Sequence, residues 1–286
     1  MDPSAPLDSR RTRQLRVAVE GVRRRRPPVR HRRGDPELLA LVAEPYADVD
    51  EAHERLVALR DAFEAREDRR AAFLSIYARM TGAVGERIRD DGFEDPDWVS
   101  DYLVAFANLY REAVRDYEAD DLASLADPWQ LAFETAERGT ALVLQDAALG
   151  VNAHINYDLA LALEEIGVGP DRTLKYEDHS AVTEVIRAIL DEAQASLAAR
   201  AAPGLEALDE SLGRVDEWLA VLAIDECRDS AWRTAVAMHS RFGWRRRFAR
   251  WVNDVTSTGA AHLILSSRVD DRVHEALRSL EGSDGG

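Results

Sequence analysis

Residues 149–163, LGVNAHINYDLALAL, set four polar side chains into an otherwise apolar run: Asn152, His154, Asn156 and Asp158. No other stretch limits the fold as much. The run is apolar enough to be buried, and a buried polar group is costly unless something pairs with it. A chain that buries four of them so close together must bring partners from neighbouring elements or use the groups as a site. At 100° per residue from Asn152, Asn156 falls at about 40° and Gln145 at about 20°, while His154 falls at about 200° and Asp158 at about 240°. An α-helix here predicts two polar stripes on nearly opposite faces, one of amides and one of His154 with Asp158. Leu149, Val151, Ile155, Leu159 and Leu163 lie between them. A helix apolar on nearly all sides belongs at the centre of a bundle.

The rest of the chain supplies that bundle. Period-2 strand patterns and Asn-Gly or Asp-Gly hairpin turns are missing, while helix caps recur. Asp35-Pro36-Glu37 opens a short helix. Asp48 opens a second, running to about residue 66, with Ala52, Leu56, Leu59 and Phe63 on one face. A third covers about 68–90. Asp95-Pro96-Asp97 caps the next, and Asp127-Pro128-Trp129 starts another that bends near Gly139, ahead of the long apolar helix of about 140–166. Gly167-Val168-Gly169-Pro170 stops that helix. Further helices are predicted near 178–201, 203–223, 226–242 and 244–279. The fold class is therefore all-α, a single-domain helical bundle of about eight to nine helices around a buried central helix. It spans residues 37–286, and residues 1–36 form a basic arm expected to be disordered.

Charge narrows the partners. The formal net charge is −16, from 53 acidic and 37 basic residues, and Lys175 is the one lysine. Residues 1–36 hold eleven arginines against four acids, so the remainder carries a charge of −23. Nucleic acid is an unlikely partner for so acidic a body, since phosphate contacts need a basic surface; the arm, with Arg23-Arg24-Arg25-Arg26, is the exception. Acidic, arginine-for-lysine usage fits a GC-rich genome and a salt-rich cytosol, where salt screens the self-repulsion. Cys227 is alone, which excludes an intramolecular disulfide and a cysteine-based metal site. With no apolar stretch of membrane-spanning length and no apolar signal core, the expectation is a soluble, cytoplasmic protein without a membrane span.

His154 and Asp158 are the candidate catalytic pair. At i, i+4 their side chains can meet, and an aspartate that holds one imidazole nitrogen fixes the tautomer. That serves a general base, and it serves a metal ligand with its supporting carboxylate. It also serves a satisfied core hydrogen bond, completed by a buried arginine. Asn152 and Asn156 are the candidate ligand-binding residues, placed either to hydrogen-bond a small molecule or to fix neighbouring helices. No metal site is assigned: Asp178, His179, His239 and His262 lack a dedicated spacing, and the Glu-x-x-His and His-Glu-x-x-His patterns are absent. The cofactor and the oligomeric state are left unknown. Asp90-Asp91-Gly92-Phe93-Glu94 has the spacing of an acidic Mg²⁺-diphosphate motif, and Asn253-Asp254-Val255-Thr256-Ser257 resembles part of the second metal motif of class I terpene synthases. The first sits at a Gly-containing helix end and the second has Ala261 where the final acidic ligand belongs, so a terpene-synthase-like enzyme is the weaker alternative. Trp218, Trp232, Trp244 and Trp251 read mostly as core packing, and Arg245-Arg246-Arg247 as a solvated turn.

Gly150-Val151-Asn152-Ala153-His154-Ile155-Asn156-Tyr157-Asp158-Leu159 resembles the signature of an all-helical family of unknown function with a His-Ile-Asn motif, common in haloarchaea and actinobacteria. The likeness extends to Phe73, Tyr77 and Thr81, to Phe93, Asp95 and Trp98, to Phe106 and Tyr110, to Trp129 and Phe133, and through Asp178 to Arg228 and Trp232, about residues 68–240. It implies a helical fold with a polar central helix and no particular reaction. Three roles follow as alternatives: an enzyme acting on a small molecule through His154 and Asp158, a helical module that binds a ligand or protein without catalysis, and a structural network with function elsewhere.

Overall fold

The computed structural model describes residues 34–139, 141–201 and 224–266, all helix and connecting turns. The helices are α1 (Pro36–Leu41), α2 (Val49–Glu64), α3 (Ala71–Arg89), α4 (Pro96–Glu118), α5 (Asp127–Arg138), then a continuous central helix made of α6 (Val143–Val151), a π-helical segment (Asn152–Asp158) and α7 (Leu159–Ile166). α8 (Arg172–Ala201), α9 (Ile224–Met238) and α10 (Gly243–Ser266) follow. The all-α expectation holds among the described residues. The predicted helix over 203–223 and most of the arm lie outside them, and α8 starts earlier than its predicted residue 178.

The helix starts are where the sequence places them, for local reasons. Asp35 caps α1 by accepting from the backbone N–H of Glu37 and Leu38, and Asp48 caps α2 by accepting from Glu51. Asp95 accepts from the Trp98 N–H at the head of α4, with Pro96 in the first turn. Gly139 ends α5 with φ of 61°, a left-handed conformation that suits glycine. The central helix runs through the middle of the bundle, against α3, α4, α5, α9 and α10. Leu149, Asn152, Ala153, Leu159, Ala160, Ala162 and Leu163 lose all contact with solvent.

Two corrections concern the C-terminal part. Arg245, Arg246 and Arg247 lie within α10, not in a turn before it. Trp232 is buried, but Trp244 and Trp251 are 65% and 51% exposed, beside exposed Phe248 and Phe242. These aromatics sit on the outer face of α10, while its inner face is built of Asn253, Ser257, Gly259, Ala260 and Ala261. A 3.6-residue period marks a helix but not which of two aromatic-bearing faces turns inward. Trp218 is outside the described residues. No described helix is long and apolar enough to cross a membrane.

A buried ion pair joins the N-terminal helices. The Arg70 guanidinium donates to Glu118 Oε1 at 2.7 Å and to Asp68 at 2.6 Å, and the second oxygen of Glu118 accepts from the Asp35 backbone N–H at 2.9 Å. One carboxylate thus ties the end of α4 to the heads of α1 and α3. Removing one partner of a buried pair strands the other charge. Glu118→Ala is expected to cost about 3 kcal/mol or more in chemical denaturation, whereas Glu164→Ala, which breaks the exposed pair with Arg250, is expected to cost about 1 kcal/mol at most.

Candidate functional site

Asn152–Asp158 is π-helical, so the straight α-helix assumed from spacing alone is corrected here. The Leu159 N–H reaches back five residues to the His154 carbonyl, the i→i+5 bond that defines the widened turn. Gly150 stands just before it for a steric reason. A Cβ at that position would lie 2.5 Å from Phe73 Cγ and 2.6 Å from Phe73 Cβ. The backbone of the central helix therefore presses directly against α3, and Phe73 reaches the His154 ring edge-on with centroids 5.7 Å apart.

His154 and Asp158 meet as their spacing predicts. His154 Nδ1 is 3.0 Å from Asp158 Oδ2, and the Trp129 indole N–H donates to the same oxygen at 2.9 Å. Trp129 was legible only as an aromatic on α5; nothing in its local sequence says that it orients an aspartate 29 positions away. His154 is boxed by rings: Phe106 stacks on it at 3.6 Å with an 8° interplanar angle, and Tyr77 stands edge-on at 4.3 Å. Both members of the pair are buried, and His154 Nε2 has no hydrogen-bond partner.

His154 also forms part of the wall of an apolar cavity of about 50 Å³ between α3, α4, α8, α9 and the central helix. A single water needs about 10–15 Å³, so the space suits something larger than one water. Tyr77, Tyr102, Phe106, Ile155 and Arg228 line it too. The hydroxyls of Tyr77 and Tyr102 are buried too, with Thr81 near the first and Arg228 near the second, and neither makes a hydrogen bond of ordinary geometry.

The amides of the opposite stripe do something different. Asn152 Nδ2 donates to the Ser257 carbonyl at 2.9 Å and Gln145 Nε2 to the Ile264 carbonyl at 3.1 Å, while Asn253 Nδ2 returns a bond to the Tyr157 carbonyl at 2.9 Å. Asn156 Nδ2 donates to Asn152 Oδ1 at 2.9 Å. Residue numbers fall along α10 as they rise along the central helix, so the two run antiparallel and the amides fix their register. Gly259, Ala260 and Ala261 on α10 carry little bulk, which lets side-chain amides reach main-chain carbonyls. Asn152 is thus held to α10 and Asn156 to Asn152 one turn earlier, and neither borders the cavity.

Most of the remaining sequence candidates have other partners, His239 Nδ1 among them, 2.9 Å from the Ala235 carbonyl. Asp178 caps α4 by accepting from the N–H groups of Glu94 and Asp95, both at 2.8 Å. His179 lies against Arg228. Among the described residues no three His, Cys, Asp or Glu side chains gather as a metal site would require. Asn253 is spent on Tyr157, and Asp90-Asp91-Gly92 forms the end of α3, with Asp91 at a φ of 54°.

Burial sets the protonation of the pair. It holds His154 well below the ordinary histidine range and Asp158 well above the ordinary carboxylate range, the Trp129 N–H opposing the second shift. Both shifts favour a net-neutral pair, in which the carboxyl proton lies between Oδ2 and Nδ1 and Nε2 keeps a hydrogen. An unfolded chain between about pH 3.9 and 6.5 carries Asp⁻ and His⁺. That is the same number of protons, so the wild-type pair adds no pH slope to stability in that window. In Asp158→Asn, the buried neutral histidine gains its proton only on unfolding. The variant's deficit relative to wild type is expected to grow as pH falls below 6.5, by up to about 1.4 kcal/mol per pH unit. Denaturation curves at several pH values measure this, and a deficit constant with pH would contradict the neutral pair. Gly150→Ala, which drives a methyl into Phe73, is expected to cost about 1–3 kcal/mol in the same assay.

Comparison with known proteins finds no match among curated proteins and none among solved structures. A family model does match, over residues 49–267, a span that contains the central helix, Trp129, Arg228 and every helix lining the cavity. The chain belongs to that family, described as a family of unknown function (DUF5995).

Proposed function

We propose that this protein binds a small, mostly apolar molecule in the cavity beside His154, with the imidazole Nε2 as a principal polar contact and proton transfer as the chemistry open to it. The observation that carries the reading is the unpartnered Nε2 on a ring whose other nitrogen is held by Asp158. Buried polar atoms normally find partners, and an exception in a cavity wall marks a place for a ligand group. Asp158, itself held by Trp129, orients the ring as the third group does in a catalytic triad. Among the described residues no nucleophile completes a triad. Thr81, the aliphatic hydroxyl in the wall, donates to the Tyr77 carbonyl, and burial pushes the Cys227 thiol up to about 12. Covalent catalysis therefore has no support, while acid–base exchange has a route. When Nε2 gives its hydrogen to a ligand, the Asp158 proton passes to Nδ1. The ring stays neutral and the charge comes to rest on a carboxylate stabilised by the Trp129 N–H.

The test titrates the protein with paired small alcohols and carboxylic acids that suit the volume, ethanol with acetate and propanol with propionate, read by tryptophan fluorescence and thermal shift. Saturable binding by wild type is expected, with at least tenfold weaker binding by His154→Ala. That variant is also expected to lose about 1–3 kcal/mol of stability, because Asp158 loses its partner. Stability loss alone, with binding unchanged or absent in wild type, would mean that the His154–Asp158 pair is a structural network.

A further inference from the structure

The second polar group in the cavity wall is a cation. Arg228, on α9, is 1% exposed. Its Nε donates to Thr183 Oγ1 at 2.8 Å, and its Nη2 donates to the His179 carbonyl at 3.1 Å and faces His179 Nδ1 at 3.3 Å. The Arg228 carbonyl in turn faces His179 Nε2 at 3.3 Å, so the ring accepts on Nδ1 and donates from Nε2. Every one of these partners is uncharged. Burial and the Arg228 charge together hold His179 well below the ordinary histidine range, so it stays neutral and supplies no counter-charge. Among the described residues no carboxylate forms an ion pair with Arg228, whereas buried Arg70 has two. The nearest acid in sequence to its partners, Asp178, is turned to the head of α4. A buried guanidinium without a carboxylate is the arrangement proteins avoid, because desolvation of the charge goes uncompensated.

The rest of the lining has the same polarity. The Tyr102 hydroxyl lies close to Arg228 and the Tyr77 hydroxyl close to Thr81, each short of an ordinary hydrogen bond. A phenol and a guanidinium donate, as does the Nε2–H of a neutral His154 whose Nδ1 faces Asp158. Facing an apolar space are therefore one fixed positive charge and several donors. Building on the ligand-binding reading above, we infer that the occupant is a small organic anion, a carboxylate on a short aliphatic body, its charged oxygens taken by Arg228 and the neighbouring donors. The size of the cavity limits the apolar body, and the guanidinium suits the planar two-oxygen head.

The same matched pairs test this without assuming a natural ligand. Wild type is expected to bind acetate and propionate at least tenfold more tightly than ethanol and propanol. The carboxylates, and not the alcohols, are expected to shift the Arg228 Nε–Hε resonance in NMR spectra of the wild-type protein, a readout that needs no variant to fold. Arg228→Gln is expected to abolish the preference for the acid while still binding the alcohol, and Arg228→Lys to retain part of it. If acid and alcohol bind equally, or the Arg228 resonance ignores propionate, the anion inference is overturned and the cavity reading stands. If neither kind of probe binds wild type, both fail.

Discussion

Burying one helix on every side leaves its polar side chains no solvent, and the bundle is arranged around finding them partners. The amide stripe finds them in the main chain of α10, through Asn152 to Ser257 and Gln145 to Ile264, with Asn253 returning the bond to Tyr157. These bonds are directional, and they set the register of two long helices that apolar packing alone would leave free to slide. Small residues on α10 are the condition for them. The outer face of the same helix bears Trp244, Phe248 and Trp251 because the inner face has no room for such rings.

The opposite stripe is satisfied only in part. Trp129, Asp158 and His154 form a chain of contacts from α5 into the central helix that stops at Nε2, where the cavity begins. Arg228 approaches the same space from α9 with only neutral partners among the described residues. Other buried polar atoms without partners are scattered through the core, so an unmatched group alone marks nothing. Tyr77, Tyr102, His154 and Arg228 differ in sharing the wall of one apolar space, and the ligand-binding proposal rests on that shared wall.

The fold was legible because its signals are local. Asp35, Asp48 and Asp95 announce helix starts within a turn of themselves, and Gly139 announces a stop. The meeting of His154 with Asp158 was legible for the same reason, since a spacing of four keeps two side chains adjacent in an α-turn and in the wider π-turn alike. The π-turn itself was not, because NAHINYD contains no glycine or proline to distinguish it from an α-helix. Trp129 and Arg228 entered the sequence reading only through the family likeness and without a role, because what they touch depends on tertiary neighbours far along the chain. Their types offered a partial clue: an arginine four residues before a tryptophan on an amphipathic helix can face inward with it, as Arg228 and Trp232 do.

The π-helical segment gives the central helix one residue of slack in length. A π-turn holds one more residue than an α-turn spanning the same rise, so deleting a single residue within Asn152–Asp158 would let the segment relax into regular α-helix while the flanking helices keep their phase. The same deletion in α6 or α7, where no extra residue is stored, would rotate everything on one side by about 100° relative to the other. Either the amide stripe would then leave α10 or His154 would swing out of its box of rings, since the two stripes are anchored to different neighbours. Inside the widened turn a deletion is felt instead through the side chain removed and through the spacing of four between His154 and Asp158. The bundle thus enforces length along the regular parts of the helix and side-chain identity within the π-turn.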